Sequence, residues 1–116
     1  MDAERLRSVV LGALEDLKAR DVRVLDVAEL TSVTDLMIIA SGTSGRHVRA
    51  IAEAVVERVK KAGFQPLGVE GEDAGEWVLV DLGDVLVHVM IPEAREFYAL
   101  EKLWGVQEPA ATGAEP

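Results

Sequence analysis

The chain has 116 residues, of which 49% are hydrophobic and 28% charged, with ten glycines and no cysteine. That is the size of one domain with enough apolar material for a core, so wholesale disorder is excluded. Without thiols, disulfide scaffolds, thiolate zinc, iron–sulfur clusters and cysteine nucleophiles are excluded as well. The formal charge of -9 is unevenly placed: residues 1–62 carry ten acidic and ten basic side chains, whereas residues 63–116 carry eleven acidic groups against Arg95 and Lys102. A half-chain this acidic is a poor surface for phosphates, and little direct nucleic-acid binding is expected. A basic protein partner fits it better, although excess acid also keeps a small domain soluble. The longest stretch without charge, Leu36 to Gly45, is too short and polar to span a membrane, and Asp2 and Glu4 are unlike a signal peptide. The expectation is a soluble, cytoplasmic protein.

In chain order, residues 3–20 space Leu6, Val9, Val10, Ala13, Leu14 and Leu17 as one helical stripe. The β-branched run 22–28 and the apolar run Asp35 to Ser41 read as strands. Val48, Ile51, Ala52, Val55, Val56, Val59 and Ala62 form a second helical face, stopped by Gly63. Pro66 to Glu70, Glu76 to Asp81 and Asp84 to Ile91 read as three successive antiparallel strands. Pro92 breaks the sheet, and residues 93–103 have helical composition, with Phe97, Leu100 and Trp104 facing inward and Tyr98 facing out. The order α-β-β-α-β-β-β-α predicts a single layered α/β domain over residues 1–105, with a mixed five-stranded sheet and about three helices, and a disordered tail over 106–116.

Chemical motifs are sparse. Ser41-Gly42-Thr43-Ser44-Gly45-Arg46 joins a strand to a helix, where backbone amides can hold an anion, but it matches no phosphate-loop pattern, and Thr43 or Ser44 serves equally as an N-cap. His47 and His88 have no metal-ligand spacing, and no nucleophile elbow is present, so no catalytic, metal or cofactor residue is assigned. The last hairpin carries more information. With Leu82-Gly83 as its loop, Asp81 faces Asp84, Leu79 faces Leu86 and Trp77 faces His88, while Val78, Val80, Val85, Val87 and Val89 take the opposite, core-facing side. The Trp77 side then offers an aromatic and acidic patch suited to a basic partner, unless the third helix covers it and buries Trp77.

Three segments in this order, VLDVAELTSVTDLMIIASGTSGRHVRAIAEAV, GEWVLVDLGDVLVHVM and PEAREFYALEKLWG, make the chain resemble the ribosomal silencing factor RsfS, or Iojap-like, family over residues 3–105. The resemblance implies a homodimer-forming α/β domain of nucleotidyltransferase-like topology. It implies binding to the large ribosomal subunit through ribosomal protein L-fourteen, a steric block to small-subunit joining, and repression of translation without catalysis. It places partner contacts on Trp77, Asp81, Asp84, Glu93, Glu96 and Tyr98. Departures from the family pattern are Leu36-Met37 in place of an aromatic pair, Gly45 for serine and Ala99 for an acidic residue. The competing expectation is a nucleotidyltransferase-type enzyme with phosphate held by residues 41–46. Such an enzyme needs alternating strand carboxylates for its metals, which Asp81 and Asp84 do not supply.

Overall fold

A computed structural model describes residues 2–98, with side chains described as far as residue 95. Helix α1 (Ala3–Asp16) starts at Asp2, whose carboxylate accepts a hydrogen bond from the Arg5 amide at 2.9 Å and so satisfies one of the free N-terminal donors. Its apolar stripe of Leu6, Val10, Ala13 and Leu14 is buried. The helix stops earlier than its stripe suggests. Lys18 turns into the left-handed region (φ 59°), and the Ala19 amide reaches back to the Leu14 carbonyl, which redirects the chain into β1 (Arg20–Asp26). A bulge between Arg20 and Arg23, with Asp21 also at positive φ, reconciles that early start with the pairing to β2 (Leu36–Ser41).

Helix α2 (Gly45–Lys61) is capped by the Ser44 side chain, buries Val48, Ile51, Ala52, Val55 and Val59, and ends before Gly63 at φ 98°. Strands β3 (Gly68–Glu70), β4 (Trp77–Asp81) and β5 (Val85–Met90) follow, then α3 (Pro92–Tyr98). The sheet order is β1-β2-β5-β4-β3, with β2 and β5 parallel and the other neighbouring pairs antiparallel. Among the described residues the expected fold is therefore present: one α/β domain with a mixed five-stranded sheet and three helices. The part of the final helix expected beyond residue 98, with Leu100, Leu103 and Trp104, and the tail over 106–116 lie outside the described residues.

Strand alternation separates two apolar clusters. Val78, Val80, Val85, Val87 and Val89, with Ile38 and Ala40, pack against α1 and α2 and are fully buried. The valine face is thus the main core, as the alternation predicts. On the other side Leu25, Val27, Met37, Ile39, Met90 and Ala94 form a smaller cluster, with Trp77 and Ile91 packed on its margin. The hairpin register differs from the expected one by two residues: Asp81 pairs with Leu86, Leu79 with His88 and Trp77 with Met90. The turn is centred on Gly83-Asp84, not Leu82-Gly83. Gly83 alone takes positive φ (84°) there, the Leu82 amide bonds the Val85 carbonyl, and Leu82 is buried instead of occupying the turn. Glycine takes that backbone conformation without the strain a side chain would bring. Because the slip is even, every side chain keeps its face, but the direct opposition of Asp81 and Asp84 disappears.

Ile51 has no exposed surface and sits in the main cluster. Ile51→Ala is expected to lower unfolding free energy by about 3 kcal/mol through lost burial and the cavity left behind. Urea denaturation reads this directly, and a loss below about 1 kcal/mol would place the core elsewhere.

Candidate functional site: the Trp77 face

The face turned away from α1 and α2 carries the polar and aromatic groups. Trp77 is half-buried, and its indole N–H donates to His88 Nδ1 at 3.0 Å, with the two rings 5.8 Å apart and tilted by 41°. This bond fixes the tautomer: Nδ1 accepts, so the neutral ring carries its proton on Nε2. Nε2 is itself buried and has no hydrogen-bond partner among the described residues. Burial pushes the His88 pKa down to about 4, and the indole N–H aimed at Nδ1 leaves that nitrogen no place for a second proton. His88 is therefore a neutral clamp that holds one edge of the indole.

Beside it, Arg95 of α3 is buried and donates through one guanidinium nitrogen to the Asp21 carbonyl (2.7 Å) and the Ser41 hydroxyl (2.9 Å). A charged donor satisfied inside the fold is costly to disturb, so this link ties α3 to the ends of β1 and β2. Ala94 is buried in the smaller cluster, whereas Glu93 is exposed at the start of the helix. The third helix thus covers the Met90 end of the sheet while Trp77 remains half-accessible, an outcome between the two that the sequence left open.

The six candidate contact residues fall into two groups. Trp77 and Glu93 lie at one end of the β4–β5 hairpin, since the Ile91 amide pairs with the Glu76 carbonyl just before α3 begins. Asp81 and exposed Asp84 lie at the turn, four residues along β4 from Trp77 or about 13 Å away. Asp81 is half-buried, and its carboxylate accepts from the Gly83 amide at 2.9 Å, so part of its capacity is spent on the turn. Glu96 and Tyr98 belong to α3, but their side chains lie outside the described set. Sequence reading missed His88 as the holder of Trp77, although alternation already placed both on one face. It also missed the Arg95–Ser41 link, which joins positions 54 apart and leaves no local signal.

The strand-to-helix segment 41–46 is committed internally. The Gly42 amide donates to the Met90 carbonyl, the Thr43 amide to His47 Nδ1 (2.9 Å), and the His47 amide to the Ser44 hydroxyl (3.2 Å). His47 Nε2 meets the Leu17 carbonyl at 2.8 Å and must carry the ring proton there. Ser41 is buried under Arg95. The Gly42 and Thr43 amides and the Ser41 and Ser44 hydroxyls are thus used within the fold, which leaves the Ser44, Gly45 and Arg46 amides at the start of α2. Among the described residues no group of three or more His, Asp or Glu side chains is placed to hold a metal ion, and no helix is long and apolar enough to cross a membrane.

Fold and face together define a small mixed-sheet α/β domain with one side closed by helices and the other framed by a clamped tryptophan and carboxylates. A family model described as "Ribosomal silencing factor during starvation" (RsfS) matches residues 1–115, and the chain belongs to that family. It is 47% identical over 115 residues to "Ribosomal silencing factor RsfS" of Chromobacterium violaceum, covering 98% of this chain and 94% of that protein. The RsfS of Haemophilus influenzae is 46% identical over 95 residues, covering 82% and 93%. A crystal structure of a Chromobacterium violaceum protein superposes with a TM-score of 0.89 at 47% identity, covering 90% of this chain and 88% of that one. The names of these relatives describe a regulatory factor of the ribosome.

Because His88 stays neutral in the folded state but not in the unfolded one, its contribution to stability has a definite sign. Above about pH 7 both states are neutral; as pH falls below about 6.5 the unfolded chain binds a proton that the folded chain refuses until about pH 4. Unfolding free energy should therefore fall by about 2 kcal/mol between about pH 7 and about pH 5 from this group alone, levelling below about pH 4. Denaturation curves of the wild type and of His88→Asn compared across that range should show the slope only in the former. Parallel slopes would contradict the clamp.

Proposed function

We propose that the chain silences ribosomes by docking its Trp77 face on a basic surface of the large subunit, ribosomal protein L-fourteen, so that its bulk excludes the small subunit and translation is repressed. The observation that carries this reading is the Trp77 face: an aromatic held in place by His88, partly open, and set in the half of the chain that contains all the net negative charge. Preorganised aromatic side chains make efficient interface anchors because little conformational freedom is lost on binding. The family's description and the names of its members support the ribosomal target. On this reading the protein works by occupying space, without catalysis or cofactor, in the cytoplasm and as a homodimer when free. Trp77, Asp81, Asp84, Glu93, Glu96 and Tyr98 line the contact. The nucleotidyltransferase alternative is disfavoured because segment 41–46 matches no phosphate-loop pattern and spends its Gly42 and Thr43 amides and Ser44 hydroxyl inside the fold.

Affinity for isolated L-fourteen, measured by titration, separates the contributions. Trp77→Ala is expected to cost about 2 kcal/mol, roughly a thirtyfold loss, with Tyr98→Ala similar. Glu93→Lys should chiefly slow association and flatten its salt dependence, as charges at a rim do. Folded aromatic variants that bind as tightly as the wild type would remove this face from the interface.

A further inference from the structure

Next to Trp77 the sheet opens into a cleft of about 250 Å3 lined by Glu70, Gly71, Trp77 and Leu79. Its walls follow from the strand register. Glu70 pairs with Leu79 across β3 and β4, so both side chains stand on the Trp77 face, with Trp77 two residues further along the same row. Gly71 also lines it: that residue sits at φ 90°, and a Cβ there would lie 2.1 Å from the Trp77 carbonyl oxygen, so the close approach to β4 admits only glycine. Glu70 is exposed, and its carboxylate forms no ion pair or hydrogen bond among the described residues. The cleft therefore combines an uncompensated carboxylate, an aliphatic wall and an indole whose orientation His88 holds.

We infer that this cleft receives a single arginine side chain of the basic protein partner. A planar guanidinium stacks on an indole and pairs bidentately with a carboxylate, which an ammonium does not, and an arginine's methylene stem has Leu79 to lie against. Charge complementarity points the same way, since the cleft belongs to the acidic half of the chain. The inference rests on the reading that a basic protein docks on the Trp77 face, and it adds Glu70 and Leu79 as the residues that select the inserted group.

The test is a titration of purified L-fourteen against wild type, Glu70→Gln and Glu72→Gln. Glu72 makes the same charge change nearby but lines a separate groove, with Glu53 and Val56 of α2. Glu70→Gln is expected to bind about tenfold more weakly with an unchanged melting temperature, and Glu72→Gln to stay within about twofold of wild type. Replacing the partner's surface arginines by lysine one at a time should identify one whose loss reproduces the Glu70→Gln effect and adds nothing to it. If Glu70→Gln binds like wild type, if Glu72→Gln loses as much, or if no arginine couples to Glu70, the cleft assignment is overturned while the docking face stands. If wild type itself does not bind, both fall.

Discussion

Strand β5 has to satisfy two environments at once, and the rest of the molecule is arranged around that demand. It is paired on both sides, parallel to β2 and antiparallel to β4, which places it in the interior of the sheet. Its odd residues Val85, Val87 and Val89 enter the helix-covered core, and its even residues Leu86, His88 and Met90 look the other way. The first set explains why α1 and α2 share one face. The second explains how a buried histidine reaches a position from which it can hold Trp77.

Such a clamp has consequences on several scales. Locally it removes rotational freedom from a large aromatic that only partly enters the core. Thermodynamically it ties stability to the neutrality of one imidazole, because burial disfavours the charged form and the indole N–H occupies the nitrogen that would accept a proton. At the level of the surface it presents a rigid apolar edge between a cleft bearing Glu70 and a helix with Glu93 in its first turn, while Arg95 fixes that helix to the far edge of the sheet. Rigid aromatic edges framed by acid suit a partner that is basic and itself well ordered.

Much of this architecture was legible in the sequence because period decides faces. The helical stripes of residues 3–17 and 48–62 and the valine alternation around Gly83 each name the buried side without reference to distant residues. Register was not legible for the same reason: a two-residue slip preserves every face, so alternation cannot tell Leu82-Gly83 from Gly83-Asp84. The choice rests on which residue must take positive φ and on Leu82 being better buried than exposed. The Arg95 contacts with Asp21 and Ser41, and the use of His47 by Thr43 and Leu17, are products of tertiary proximity between segments that carry no common pattern. The Trp77 patch was readable as a patch, but its division into a clamped aromatic end and a turn end about 13 Å away needed the strands in place.

The central claim is that occupation of the Trp77 face by the large subunit is what keeps the subunits apart. Purified large and small subunits sedimented through a gradient with the wild-type chain and with Trp77→Ala test it most directly. The account predicts that wild type shifts joined ribosomes to separate subunits while co-migrating with the large one, and that the folded Trp77→Ala variant does neither at the same concentration. Joined ribosomes persisting with wild type bound, or separation by Trp77→Ala as complete as by wild type, would contradict it.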